Sequence, residues 1–298
     1  MSEGSSYARL WLRAMRLHQW LKNLLILVPL LASHRLGEPI VLFEALIAFI
    51  CFGMCASSAY ILNDIVDLAH DRHHPTKSRR PFASGQLPVK AGVIVFPLLL
   101  IGALVGAYLF LPWRFSAALA TYYTVTVIYS FWLKRHAVVD VVTLALLYTL
   151  RVAAGALVFN LVLTFWMAAF SMFIFLSLAL AKRHAELFGA RTTGVTDRAR
   201  GRGYFPDDLE VISSLGAASG YLSVMVLALY IQDASTAALY RYPQLIWVAC
   251  PILLYWISRI WLLTHRGEMH DDPVVFAIRD RASIIAGALF GLVFWLAS

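Results

Sequence analysis

The sequence predicts an all-α polytopic membrane protein with nine transmembrane helices, on three observations. Hydrophobic residues make up 60% of its 298 positions and charged residues only 14%, where a water-soluble domain carries nearer a quarter. Mean hydropathy is correspondingly high, at +0.72. Nine apolar stretches can be drawn, each about 20 residues long, the length that crosses a bilayer core as a helix. The basic residues, finally, fall almost entirely on one side of the alternation that those nine stretches impose.

The elements follow in order. Residues 1–16 form an interfacial amphipathic arm, with Arg9 and Arg13 set among Tyr7, Leu10, Trp11 and Leu12, expected to lie on the inner membrane face. Its alternative, a cleavable signal ending near Ala32-Ser33, is disfavoured by the length of the apolar part and by the spans beyond it. The spans are placed at 17–33, 40–62, 92–111, 115–133, 138–158, 162–181, 209–231, 243–263 and 282–297. Two long apolar regions are divided, at Leu111-Pro112-Trp113-Arg114 and at Phe159-Asn160. With those divisions, 21 of the 25 Lys and Arg residues share one set of loops, while the opposite loops hold Arg35, Arg114 and Arg241, and Arg151 lies inside the fifth span. The N-terminus, the charged loops and an active site among them are therefore expected in the cytoplasm, and the C-terminus outside.

The whole chain, 1–298, reads as one transmembrane domain. Its net charge of +8 is mostly a topology signal, and partly an attraction for anionic substrates and for membrane lipid head groups. No nucleic-acid partner is expected, and the oligomeric state is not legible. Cys51, Cys55 and Cys250 lie in apolar stretches without metal-ligand spacing and read as small buried hydrophobes.

The most informative stretch begins where the second span ends, with Asn63-Asp64-Ile65-Val66-Asp67-Leu68-Ala69-His70-Asp71-Arg72. On one continuous helix Asp64, Asp67 and Asp71 fall at i, i+3 and i+7, so three carboxylates share a face with Asn63 beside them. Hard oxygen donors in that array suit Mg²⁺, which keeps several waters and is completed by substrate phosphates. The alternative is a solvated helix end in which the acids pair with the following Arg72, Lys77, Arg79 and Arg80.

A second polar cluster, Lys182-Arg183-His184-Ala185-Glu186-Leu187, ends the sixth span, with Lys182 and Glu186 one helical turn apart and Arg183 near Glu186. A snorkelling Lys or Arg often ends a membrane helix for topology alone; the glutamate makes this cluster less ordinary. The loop after it adds Arg198, Arg200, Arg202 and Tyr204, with Gly194, Gly201 and Gly203. Lys22 and Asn23 in the first span, and Asp140 and Arg151 in the fifth, are further polar outliers. Arg151 is either a phosphate ligand or the partner of an acid such as Asp140. The segment from His270 to Arg281 is a third polar cluster of undecided role.

The run from Tyr60 to Arg72, with His74-Pro75-Thr76-Lys77-Ser78-Arg79-Arg80-Pro81-Phe82-Ala83-Ser84-Gly85 after it, resembles the first aspartate-rich signature of the UbiA superfamily of intramembrane prenyltransferases. The resemblance covers the whole chain. It implies a nine-helix bundle around a lipid-accessible cavity, Mg²⁺ as cofactor on Asn63, Asp64, Asp67 and Asp71, and a bacterial plasma (inner) membrane location. Most members carry a second aspartate-rich motif after span six, where this chain has Lys182-Arg183-His184-Ala185-Glu186-Leu187. That departure, together with His18-Gln19-Trp20-Leu21-Lys22-Asn23, resembles the polyprenyl-phosphate phosphoribosyltransferase branch. The implied substrates are phosphoribosyl pyrophosphate and a polyprenyl phosphate.

The chemistry suits that branch. A diphosphate leaving group calls for metal, with Asp64, Asp67, Asp71 and Lys182 as catalytic candidates, and a separate 5-phosphate calls for its own cations. Lys77, Arg79 and Arg80 are assigned to either phosphate; Lys182, Arg183 and Arg202 to the second anion or the lipid phosphate; and Lys22, Asn23, Arg72, Arg151, Glu186 and Tyr204 complete the expected substrate contacts. A lipid phosphate is a competent nucleophile once desolvated, so no Ser, Cys or strong base is required. An ordinary prenyltransferase, a transporter of anionic substrates and a noncatalytic lipid-binding subunit are the competing readings.

Overall fold

A computed structural model describes residues 3–32, 38–73, 77–192, 202–233, 240–269 and 272–298. Every element among them is helical and none is a strand. The α-helices are α1 (Glu3–Ala14), α2 (Val28–Ala32), α3 (Pro39–Val66), α4 (Leu68–Arg72), α5 (Val89–Phe110), α6 (Trp113–Phe131), α7 (Val139–Val158), α8 (Phe165–Thr192), α9 (Leu209–Gln232), α10 (Ala249–His265), α11 (Pro273–Arg279) and α12 (Arg281–Ala297). Short 3₁₀ segments link them, the longest being Leu17–Leu27.

Among the described residues six helical segments are long and apolar enough to cross a membrane: Pro39–Val66, Val89–Phe110, Val139–Val158, Phe165–Thr192, Pro206–Gln232 and Pro243–His265. A seventh is obtained if α11 and α12, bent by 83° at Asp280, form one broken span. The remaining two expected spans are helical but differ in kind. Residues 17–32 begin as a 3₁₀ segment and continue as the five-residue α2, and α6 dilutes its apolar residues with Tyr122, Tyr123, Tyr129 and five Thr or Ser. Along α5, Ile94, Leu98, Ile101, Val105 and Leu109 make an exposed apolar stripe at helical spacing. In water such a stripe would be an aggregation hazard; against lipid it is the ordinary surface. The chain is an integral membrane protein.

The helices form two compact units, one of residues 1–131 with 150–163 and one of 132–149 with 164–298. In the first, α3 packs along α5. The arm α1 seats Leu10, Trp11 and Ala14 on Ile61, Phe82 and Leu87, so it is anchored by apolar burial near the end of α3. Trp20 lies over Gly53 and donates to Ser57 Oγ at 3.0 Å, and that hydroxyl donates to the Met15 carbonyl at 2.9 Å. Gly155 on α7 touches the Ile26 carbonyl where any side chain would collide, which draws the 17–27 segment against that helix. In the second unit, α9 packs on α8 and α10 through small residues: Gly216 meets Leu180 and Trp261, and Gly220 meets Ser177 and Ile257. Ser177 Oγ donates to the Gly216 carbonyl at 2.8 Å and accepts from Trp261 Nε1 at 2.9 Å.

Candidate active site

Two polar clusters stand out, one in each unit. The first forms where α3 runs out. The helix does not continue through the acidic run: Asp67 is a turn residue (φ −82°, ψ 5°) that closes α3 and opens α4. This break alters the expected single acidic face. Asp64 and Asp71 come together, while the Asp67 carboxylate accepts from Asn63 Nδ2 at 3.1 Å. Asp64 and Asp71 are 3% and 2% exposed, although both are ionisable and neither belongs in an apolar setting without a partner.

Arginine supplies the partners. Arg80 Nη1 lies 3.1 Å from Asp64 Oδ1 and 2.6 Å from Asp71 Oδ2, bridging the two acids. Arg16 Nη2 lies 2.6 Å from the same Asp64 oxygen, its guanidinium 4.8 Å from the centre of the Tyr60 ring. Pairing of the acids with following arginines is thus realised for Arg80, but the helix end is not solvated. Arg72, Lys77 and Arg79 are exposed on the rim, and the Arg79 carbonyl accepts from Arg13 at 3.4 Å. Arg16, which the sequence presents only as a topology charge, is the residue missed here; its φ of 51° turns the chain between α1 and the 3₁₀ segment.

Among the described residues no three His, Cys, Asp or Glu side chains are already gathered as a metal cage. The donor set nonetheless fits Mg²⁺, which is commonly held by one or two carboxylates and completed by water and phosphate. Two sealed carboxylates converge on one cationic atom, Arg80 Nη1, and every donor is oxygen.

Deeper in the same unit Arg151, 4% exposed, donates to Tyr122 Oη at 2.6 Å and to Asn23 Oδ1 at 3.4 Å, and lies 5.7 Å from the Phe52 ring centre. Asn23 keeps a buried Nδ2 with no hydrogen-bond partner, and Lys22 beside it is buried. Asp140, one of the acids that the sequence offered to Arg151, has arginine partners in the other unit.

Those arginines build the second cluster. Arg183 and Asp140 are both completely buried, with Arg183 Nη2 2.8 Å from Asp140 Oδ2, close enough for an ionic contact but not aligned as a hydrogen bond. Arg202 Nη1 reaches Asp140 Oδ1 at 3.2 Å, and Glu186 pairs with Arg183 from the next turn of α8. Tyr204 Oη accepts from the Val138 amide at 2.8 Å while its ring lies 5.7 Å from the Arg183 guanidinium. Burial pushes the Tyr204 phenol up, partly offset by that amide hydrogen bond, so it stays protonated. Val138 has φ 67°, a costly conformation for a β-branched residue, and Gly203 packs against Ala137 where a Cβ would overlap. The 202–204 strap therefore holds a strained turn beside the cations.

Lys182 faces elsewhere: its ammonium donates to Asp272 Oδ2 at 3.0 Å, an acid that also caps α11. This gives the His270–Arg281 segment one role, at Asp272. Arg198, Arg200, Gly194, Gly201, His270, Asp271, His74, Pro75 and Thr76 lie outside the described residues.

Known proteins resemble the chain along most of its length. The chain is 38% identical over 296 residues to the protein y4nM of Sinorhizobium fredii, covering 99% of this chain but 57% of that protein's length. It is 37% identical over 287 residues to nodulation protein NoeC of Azorhizobium caulinodans, covering 94% and 91%. To the decaprenyl-phosphate phosphoribosyltransferase of Mycobacterium tuberculosis it is 29% identical over 276 residues, covering 90% and 87%. A UbiA homolog from Archaeoglobus fulgidus, solved with DMAPP and Mg²⁺, shares the fold at TM-score 0.70 and 16% identity, covering 96% of this chain and 98% of that one. The model of the UbiA prenyltransferase family matches residues 24–284, and the chain belongs to that family.

Proposed function

We propose that the protein transfers a 5-phosphoribosyl group from phosphoribosyl pyrophosphate to a polyprenyl phosphate and releases pyrophosphate. The observation that carries the reading is the cationic run Lys182-Arg183-His184-Ala185-Glu186-Leu187 in place of the second aspartate-rich motif of an ordinary prenyltransferase, with Arg183 and Arg202 gathered on Asp140 and Lys182 paired with Asp272. Cations there suit a donor with two separate phosphate groups, and Arg in particular binds phosphate through a forked pair of donors. The similarity to the mycobacterial phosphoribosyltransferase supports the same donor.

In this reading Asp64 and Asp71, with Asn63 and Asp67 beside them, hold Mg²⁺ and the diphosphate. When bound, the metal neutralises charge on the leaving group. Lys77, Arg79 and Arg80 are assigned to either phosphate of the donor, and Lys182, Arg183 and Arg202 to a second anion or the lipid phosphate, with Glu186 and Asp140 beside Arg183. The lipid phosphate attacks C1 of the ribose directly with inversion, and catalysis rests on positioning and charge stabilisation. The site faces the cytoplasm of a bacterial plasma membrane, within one domain of nine spans whose N-terminus is inside and C-terminus outside. The charge asymmetry of the loops supports that orientation.

A second reading, transfer of an isoprenoid from its diphosphate to another acceptor, is supported by the fold shared with a homolog solved with DMAPP. Binding separates them. Lys182→Ala and Arg202→Ala should weaken phosphoribosyl pyrophosphate about tenfold or more while leaving inorganic pyrophosphate nearly unchanged. Equal loss for both ligands would contradict a separate 5-phosphate site.

A further inference from the structure

Asp64 and Asp71 are sealed, yet the arginines that neutralise them keep 24% (Arg16) and 25% (Arg80) of their side-chain surface open. A cation approaching the acids meets guanidinium first, and so does an anion. The acids are carried on helix backbone, the Asp71 amide donating to the Asp67 carbonyl at 2.9 Å. The arginines reach in on long side chains from the turn before the 17–27 segment and from the turn after Lys77–Arg79. The acids are fixed to helix backbone, whereas each guanidinium sits at the end of a long side chain.

Resting on the metal-diphosphate reading above, we propose that Arg16 and Arg80 are internal counter-cations that exchange partners. They hold Asp64 and Asp71 in the empty site and pass to the diphosphate when a divalent cation takes the acids. Two carboxylates against two guanidiniums are balanced. A divalent cation added alone would leave two uncompensated positive charges in a poorly solvated place, and a diphosphate added alone would find the guanidiniums already engaged. Together they largely offset one another, so each raises the affinity of the other, and reciprocally. The Tyr60 ring gives the Arg16 guanidinium a second seat during the exchange.

The test uses purified full chain in detergent, with Mn²⁺ binding followed by electron paramagnetic resonance, with and without inorganic pyrophosphate. Wild type should bind Mn²⁺ weakly alone and about tenfold more tightly with pyrophosphate. Arg16→Gln and Arg80→Gln should each bind Mn²⁺ alone more tightly than wild type, with pyrophosphate adding less than about threefold. Thermal unfolding supplies a readout independent of turnover: Mg²⁺ alone should raise the midpoint of Arg80→Gln more than that of wild type. Should Arg80→Gln fail to fold, Arg80→Lys, a shorter cation that spans one acid rather than two, should fall between. Variants that bind Mn²⁺ alone no better than wild type, while wild type shows pyrophosphate-dependent binding, would overturn the exchange and leave the metal reading standing. Wild type that takes up no Mn²⁺ in either condition would remove both.

Discussion

Asp140 Oδ2 lies 2.8 Å from Arg183 Nη2, with neither side chain open to solvent. A charge held at such a depth is tolerated only while its partner remains. Asp140→Ala should therefore cost about 3 kcal/mol of stability by leaving the buried Arg183 with only the half-exposed Glu186 as its acid. Glu186→Gln should cost far less, because the Glu186 carboxylate is 43% exposed. Thermal or denaturant unfolding of the two variants in the same detergent checks the order; equal midpoints would show that Asp140 carries no special burden.

The break at Asp67 ranks the three acids. Asp64→Asn and Asp71→Asn should each lower Mn²⁺ binding in the presence of pyrophosphate by about tenfold or more. Asp67→Asn should lower it less, since that carboxylate is turned to Asn63. Titration of the three variants decides it, and an equal loss in all three would restore the single three-acid face.

Gly155→Ala should destabilise by about 1–3 kcal/mol, because its methyl would overlap the Ile26 carbonyl in a fully packed contact. Gly189→Ala is the control. Nothing lies within 4 Å of a Cβ there, and replacing a helical glycine should leave stability unchanged or raise it slightly. Both are read from unfolding midpoints.

The Arg259–Asp280 pair makes stability pH-dependent in a stated direction. Burial acts to raise the Asp280 carboxyl, but hydrogen bonds from Arg259 and Ser283 outweigh it and hold the group below its ordinary value of 3.8. A depressed folded value contributes stability above the unfolded value and loses it as pH falls through the folded one. Wild type should therefore lose stability more steeply than Asp280→Asn as pH falls below the ordinary value of 3.8. Parallel curves would contradict the assignment.

The acidic run, the Lys182–Glu186 cluster and the long apolar helices are legible in the sequence, because apolar length and charge placement depend on local residues alone. The pairing of charges is not. Arg16 reaches Asp64 across 48 positions and Lys182 reaches Asp272 across 90, distances over which no spacing rule operates. The same holds for Arg151, whose depth in the fifth span is apparent from sequence while its settling among Asn23, Tyr122 and Phe52 is a product of packing. The break at Asp67 is hidden because Ile65, Val66, Leu68 and Ala69 continue an apolar helical pattern straight through it.

Mass spectrometry of the lipid product tests the central claim most directly. Purified protein with Mg²⁺ and a polyprenyl phosphate is offered phosphoribosyl pyrophosphate in one reaction, and in another a prenyl diphosphate with an aromatic acid. The account predicts a lipid heavier by one phosphoribosyl group, formed with stoichiometric pyrophosphate and absent with Asp64→Asn. A prenylated aromatic product, with phosphoribosyl pyrophosphate left intact, would contradict it.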